Sequence, residues 1–302
     1  MLERLRSEDR FALAVAVRRW GYPELNNLTV HKVGSLSGDM SWGGAVDATD
    51  TVIHCAARVH VMNESSADPM SAFRAVNVDA TLNLASQAAS AGVRRFIFIS
   101  SIKVNGEGTV EGKPYSASDT PAPADAYGIS KLEAEVGLRA LAERTGLEVT
   151  IIRPVLVYGP GVKANFYRMM GWLNRGIPLP LGAIYNKRSL VALDNLVDLI
   201  VTCVDSPGAA NQTFLVSDGE DLSTTELLQR TGVALGKPAR LLPIPGSSLE
   251  VGAALLGKRE VAQRLCGSLQ VDISKTREIL GWRPPVSIDE ALRKTAEDFL
   301  RQ

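Results

Sequence analysis

The 302-residue chain is poor in residues that commit a protein to metal or disulfide chemistry: it has three cysteines and three histidines. Cys55, Cys203 and Cys266 are far apart and lie in apolar or helical stretches. That excludes a disulfide framework and fits inert, reduced thiols. His31, His54 and His60 show no metal-ligand spacing with them. Neither sign of charge prevails, with 33 basic and 33 acidic residues. Bulk electrostatics therefore give no reason to expect a nucleic acid or a membrane surface as partner. No apolar run is long enough to span a bilayer. Charges at Glu3, Arg4, Arg6, Glu8, Asp9 and Arg10 break up any signal-peptide core. The expectation is a cytoplasmic protein.

Apolar residues make up 45% of the chain, enough for a sizeable core. FALAVAV (11–17), LTVHKV (28–33), TVIHCAA (51–57), RRFIFISS (94–101) and EVTIIRPVLVYG (148–159) read as strands. Their near-continuous apolarity is that of strands buried on both faces. Helical spacing runs through 68–92 and 125–146, which end in Gly92 and Gly146, plausible left-handed caps. Strand and helix in alternation predict a parallel α/β sheet. Beyond residue 160 helices are expected at 165–176 and 193–204 and a strand at 212–218. Ser223 with Glu226, and Ser287 with Glu290, have capping-box spacing. The opening MLERLRSEDRFALAVAVRRW is unusual: Leu2 and Leu5 read as the last turn of a helix that feeds a strand, with no strand before it.

Three stretches carry chemistry. RRFIFISSIKVNGEG (94–108) is a buried strand ending in a serine pair. AYGISK (126–131) puts Tyr127 and Lys131 four apart, on one helical face. IIRPVLVYGPG (151–161) runs from a strand into a Gly/Pro loop. An ammonium beside a phenol favours the phenolate, so Lys131 is expected to lower the Tyr127 pKa and make it a general base or acid. Ser101, at the carboxyl end of its strand, could hydrogen-bond the reacting oxygen. A Y-x-x-x-K pair alone is weak, being common on helices by chance; its order between two such strands is far more specific.

In these residues the chain resembles the extended short-chain dehydrogenase/reductases, the NAD-dependent nucleotide-sugar epimerases, dehydratases and 4-keto reductases. HCAARVH (54–60) is similar to the family's H-x-A-A segment, AVNVDAT carries its helix asparagine at Asn77, and the serine and Y-x-x-x-K positions fall on Ser101, Tyr127 and Lys131. RSLVALDNLVDL (188–199) and VDISKTREILGW (271–282) resemble two further signatures. VYGPGVKANF and PLPLG carry a finer likeness to bacterial surface-polysaccharide UDP-sugar 4-epimerases and UDP-4-keto-6-deoxy-N-acetylglucosamine 4-reductases. The resemblance implies a Rossmann-type doubly wound sheet with a smaller, mostly helical substrate domain. Residues 1–160 and 186–218 would form the dinucleotide-binding part, and 161–185 and 219–302 the substrate part. It places a cofactor against Ala56, Ala57, Asn77, Ser100, Tyr127, Lys131 and Pro154. A nucleotide sugar would lie against Asn165, Arg188 and Arg264. Helix capping is an equal account of Asn165. A homodimer through the helices at 68–92 and 125–146 is implied by resemblance only.

The departures are informative. Family members open with a strand and a G-x-x-G-x-x-G turn whose amides hold the pyrophosphate. This sequence has no such turn, and the first strand is expected to be absent, leaving apolar edges on its neighbours. Ile102 and Lys103 stand where dehydratases carry an Asp-Glu pair, which argues against dehydration. Asn105 replaces the family's tyrosine. Arg18 and Arg19 end what would be the family's second strand, where an acid would favour NAD; arginine can pair with a 2′-phosphate, so NADP is favoured over NAD. His54 is expected to be a hydrogen-bonded strand residue, and the tryptophans to be packing residues. The expected activity is hydride transfer at C4 of a nucleotide sugar, by an epimerase or a reductase. A non-catalytic NADP-binding regulator and an inactive fragment remain as alternatives.

Overall fold

The computed structural model describes residues 1–18, 25, 28–59, 68–257 and 259–302. Arg19 and His60 lie outside them. α1 (Leu2–Arg6) buries Leu5, as the opening LERL leads one to expect. β1 (Ala14–Val17) and β2 (Thr29–Lys32) then pair in parallel, Ala14 opposite Thr29 and Val17 opposite Lys32. A second sheet holds β3 (Thr51–His54), β4 (Arg95–Ile99), β5 (Glu148–Pro154) and β8 (Thr213–Val216), in that spatial order and all parallel. The architecture is therefore α/β and Rossmann-like.

Period-two alternation assigns the faces of β4. Phe96 and Phe98 pack with Leu84, Leu138 and Ile151 on one side. Ile97 packs with Ile152, Leu199, Ile200, Phe214 and Trp282 on the other. This is why RFIFI is apolar throughout. Among the described residues the two sheets stay separate, so β1 and β3 each keep one edge without a strand partner. The resemblance puts its missing central strand at this place.

Two expected elements are divided. The helix over 68–92 forms α2 (Pro69–Arg74), a π-helical turn (Ala75–Asp79) and α3 (Ala80–Ser90). The strand over 148–159 breaks after Pro154, where pairing with β8 ends. Pro154 has no N–H to continue a ladder. β6 (Leu156–Tyr158) pairs instead with β7 (Arg188–Ala192), which also carries β9 (Asp221–Leu222). α4 (Ala126–Thr145) is capped by the Asp125 carboxylate, which accepts from Gly128 N at 2.7 Å, and closes on Gly146 at φ 76°. Gly92 likewise has φ 82°. These are the left-handed positions expected of helix-ending glycines.

A third apolar cluster joins Tyr158, Phe166, Met170, Leu190 and Leu292. It is built around α5 (Ala164–Asn174), α7 (Thr224–Ala234) and α11 (Ile288–Arg301), whereas α6 (Leu193–Asp205) packs in the cluster of Ile97 and Ile152. α8 (Gly246–Leu255), α9 (Arg259–Cys266) and α10 (Ser274–Leu280) complete the chain. The Ser223–Glu226 capping box has both its hydrogen bonds; at Ser287 the hydroxyl accepts from Glu290 N. Trp282 and Trp42 are buried as expected, whereas Trp172 is 45% exposed.

Candidate active site

The carboxyl ends of β3, β4 and β5 meet the first turns of α4, the edge where open α/β sheets bind ligands. Ser101 lies two residues past β4. It caps the short 3₁₀ turn Ile102–Val104, its Oγ accepting from Lys103 N at 3.3 Å. Its side chain bears on the Tyr127 phenol and favours the ionised form. Tyr127 sits in the first turn of α4 with its ring edge-on to Phe73, centroids 6.2 Å apart. Lys131, one turn on, is only 1% exposed. Its Nζ donates to Ile99 O at 2.8 Å and lies 4.2 Å from the centre of the Phe98 ring. The three residues expected to act together are thus brought together.

The electrostatics differ from expectation at one point. Burial pushes the Tyr127 phenol up, to about 12, and the nearby Ser101 side chain only partly offsets this. The expected lowering by Lys131 is not what this arrangement gives: the ammonium is engaged by the Ile99 carbonyl and the Phe98 ring. Burial lowers Lys131 itself, to about 8, against an opposing pull from Glu135. A half-buried phenol and a buried ammonium are therefore shifted in opposite directions at one strand end, a pattern that clusters at functional sites. As folded, Tyr127 is a proton donor at neutral pH.

The segment after β3 is held from behind. Asn77, 1% exposed, occupies the π-helical turn. Its Oδ1 accepts from Arg58 N at 2.8 Å, and its Nδ2 donates to Arg58 O and to Ser130 Oγ, both at 3.0 Å. Ser130 in turn donates to Tyr127 O. The extra residue of a π turn is what brings the Asn77 side chain into register with both. His54 is neutral: burial drives it down to about 3, its Nε2 lies 3.0 Å from Thr81 Oγ1, and its ring stacks on Phe98. It is the strand residue expected.

Of the remaining expected positions, Ala56 is exposed, Ala57 is half-buried and Pro154 is buried. Arg18 is exposed just past β1. The Ser100 hydroxyl points away from the cleft and donates to Glu135 Oε1 at 2.6 Å. Lys103 pairs with Asp125 at 2.5 Å and Glu107 at 2.9 Å, so no carboxylate pair stands in the dehydratase position. Arg188 and Arg264 are brought together: Arg188 Nη1 donates to Arg264 O at 3.0 Å and Gly267 O at 3.2 Å. Asn165 is exposed and does not cap α5; its Oδ1 accepts from Arg168.

Residues 3–217 match the model of a family described as NAD dependent epimerase/dehydratase. The chain belongs to that family. Within it, the chain is 53% identical over 271 residues to a UDP-glucose 4-epimerase of Vibrio cholerae, covering 89% of this chain and 83% of the relative. Two solved structures share the fold. A UDP-glucuronic acid 4-epimerase of Bacillus cereus in complex with NAD superposes with a TM-score of 0.78 at 17% identity, covering 99% of this chain and 91% of that one. RMD of Pseudomonas aeruginosa complexed with NADPH gives 0.71 at 21% identity, with 91% of each chain covered.

For an NAD-dependent epimerase/dehydratase family member the residues fit one half of a dinucleotide. The small, partly exposed Ala56 and Ala57 lie on a backbone clamped by Asn77, beside Tyr127 and Lys131. The glycine turn that would hold the pyrophosphate has no counterpart in the 302 residues. Sequence reasoning missed Glu135 and Arg153, which with Asn105 form a buried network directly behind this site.

Proposed function

We propose that this chain is a UDP-sugar 4-epimerase acting by hydride transfer at C4, with a role in surface-polysaccharide biosynthesis. The observation that carries the reading is the convergence of Ser101, Tyr127 and Lys131 at the carboxyl end of β4. The identity to a UDP-glucose 4-epimerase supports the substrate class. A bound nicotinamide would supply the hydride acceptor and donor. The chain's own residues do the rest. Tyr127 exchanges a proton with the C4 oxygen, Ser101 hydrogen-bonds the same oxygen, and Lys131 holds the positive charge that steadies it. Tyr127, Lys131, Pro154 and the segment clamped by Asn77 would hold the nicotinamide end. Arg188 and Arg264, from the end of β7's strand and from α9, would face the diphosphate, with residues 161–185 and 219–302 as the substrate part.

A 4-keto reductase is the second reading. Arg18 at the end of β1 favours it, because a cation there suits a 2′-phosphate and reductive chemistry draws on NADPH. One experiment separates them. The purified chain is titrated with NADH and NADPH by nicotinamide fluorescence, then incubated with UDP-glucose or UDP-N-acetylglucosamine and NAD. Accumulation of the C4 epimer without net NADH is the expected result. NADPH consumed in proportion to a 4-keto substrate, with no epimer, would replace the epimerase by the reductase.

A further inference from the structure

Behind the catalytic face lies a second layer of polar side chains, all buried. Glu135, on α4 one turn beyond Lys131, is 0% exposed, and Arg153 on β5 is 1% exposed. The Arg153 guanidinium grips the carboxylate with two bonds, Nε to Oε1 at 2.9 Å and Nη2 to Oε2 at 2.6 Å. Ser100 donates to Oε1 at 2.6 Å, and Arg139, at the rim, reaches Oε2 at 3.2 Å. The remaining arm of Arg153, Nη1, donates to Asn105 Oδ1 at 2.9 Å, and Asn105 Nδ2 donates to Ser116 O at 2.9 Å. Asn105 is the residue that stands in place of the family's tyrosine.

Stability is a poor reason for such a pair. Burying two charges costs several kcal/mol per ion, and an apolar replacement of both is often neutral or better. Its placement gives a different reason. The pair touches three elements that the chemistry needs in register: the β4 end through Ser100, α4 through Glu135, and the loop after the 3₁₀ turn through Asn105. Ser101, the neighbour of Ser100, can then meet Tyr127 only as these elements are fixed.

Charge leads to the same conclusion. Lys131 is a buried cation whose direct partners, a carbonyl and a ring face, carry no net charge. The charged and titratable groups that act with it are Glu135 from α4, Cys55 just past β3, and neutral His54 at the end of β3. Glu135 is the carboxylate buried in that set.

We propose that the Glu135–Arg153 pair, braced by Asn105, is the positioning unit of the catalytic centre. It fixes the Ser100–Ser101 strand end against α4 and supplies the negative charge that keeps the Lys131 ammonium in place. These three are positioning residues; none reaches the cleft where the C4 oxygen would lie. The proposal deepens the epimerase reading and rests on it for its activity readout.

The test compares the parent chain with Glu135→Gln and with the double variant Glu135→Leu/Arg153→Met. Glu135→Gln removes the charge and keeps the shape. The expected result is a kcat about tenfold to a hundredfold lower with KM for the UDP-sugar within about twofold. The alkaline limb of the kcat/KM profile moves about one pH unit toward acid, because Lys131 gives up its proton sooner. The double variant is expected to melt within a few degrees of the parent, at about the same midpoint of unfolding. It still loses turnover, because Ser100 and Asn105 lose their partners. It serves if Glu135→Gln alone does not fold. A drop in kcat that follows the loss of melting temperature, with the pH profile unmoved, would make the pair structural only and overturn the proposal. Should the parent show no epimerisation, the epimerase reading fails but this inference is still read directly. NMR titration of ¹³Cε-labelled lysine gives the Lys131 pKa in parent and variant: a drop in Glu135→Gln supports it, and an unchanged value overturns it.

Discussion

The four-stranded sheet and the separate β1–β2 pair are built to opposite standards. At β4 and β5 every strand edge is paired, the apolar side chains on both faces are buried, and the polar ones are hydrogen-bonded. At β1 the sequence is just as apolar, AVAV, yet its residues alternate between exposed and half-buried and one strand edge has no partner. Strand-forming composition is equal in both; covering layers and pairing are not. Ser101, Tyr127 and Lys131 lie at the well-built sheet, where side chains are held in fixed geometry and burial shifts their pKa values.

The largest test of that contrast is chemical. Tyr127→Phe removes the proton donor and leaves the packing against Phe73, so turnover of the UDP-sugar should fall by about 10²- to 10⁴-fold with the melting temperature unchanged. Retained turnover would mean that the well-built sheet does not carry the reaction. Next comes packing. Ile152→Ala, at a position with 0% exposure, should cost about 2–5 kcal/mol in denaturant unfolding, and Val17→Ala at half-buried β1 under about 1 kcal/mol. Equal costs would erase the comparison.

A pH effect follows in size. His54 lies well below its ordinary value of 6.5, at about 3. The unfolded chain binds its proton between these values and the folded chain does not. Stability is therefore complete above about pH 6.5 and falls as the pH drops toward 3. His54→Gln should flatten the acid side of a stability–pH curve measured by chemical denaturation. The smallest effect belongs to the β1–β2 pair. Arg18→Ser should narrow any preference for NADPH over NADH by a few-fold, about 1 kcal/mol or less, in fluorescence titrations. An unchanged ratio would leave Arg18 as a solvated strand-end residue.

Much of this was legible in the residues. The strand and helix order, the glycine caps at Gly92 and Gly146, and the Ser101–Tyr127–Lys131 set all follow from local rules of spacing and periodicity. The break after Pro154 was foreshadowed by the proline itself, but which sheet β6 would join depends on distant β7. The resemblance puts Ser100 against the cofactor, but alternation along an extended chain sends adjacent side chains to opposite sides, here toward Glu135. The Glu135–Arg153 pair had a signal that went unread. An arginine in TIIRPVLVYG, a strand buried on both faces, needs a buried counter-charge, and Glu135 falls one helical turn after Lys131.

The sequence by itself determined the α/β class, the family and the three residues that meet at the cleft, because periodicity, caps and motif spacing are local properties of the chain. Tertiary structure alone decided the state of those residues. Tyr127 rises to about 12 and Lys131 falls to about 8 because burial removes water from both. How far each moves depends on carbonyls, rings and carboxylates brought from β4, β5 and α4, and desolvation by distant segments is not written in any one stretch of sequence.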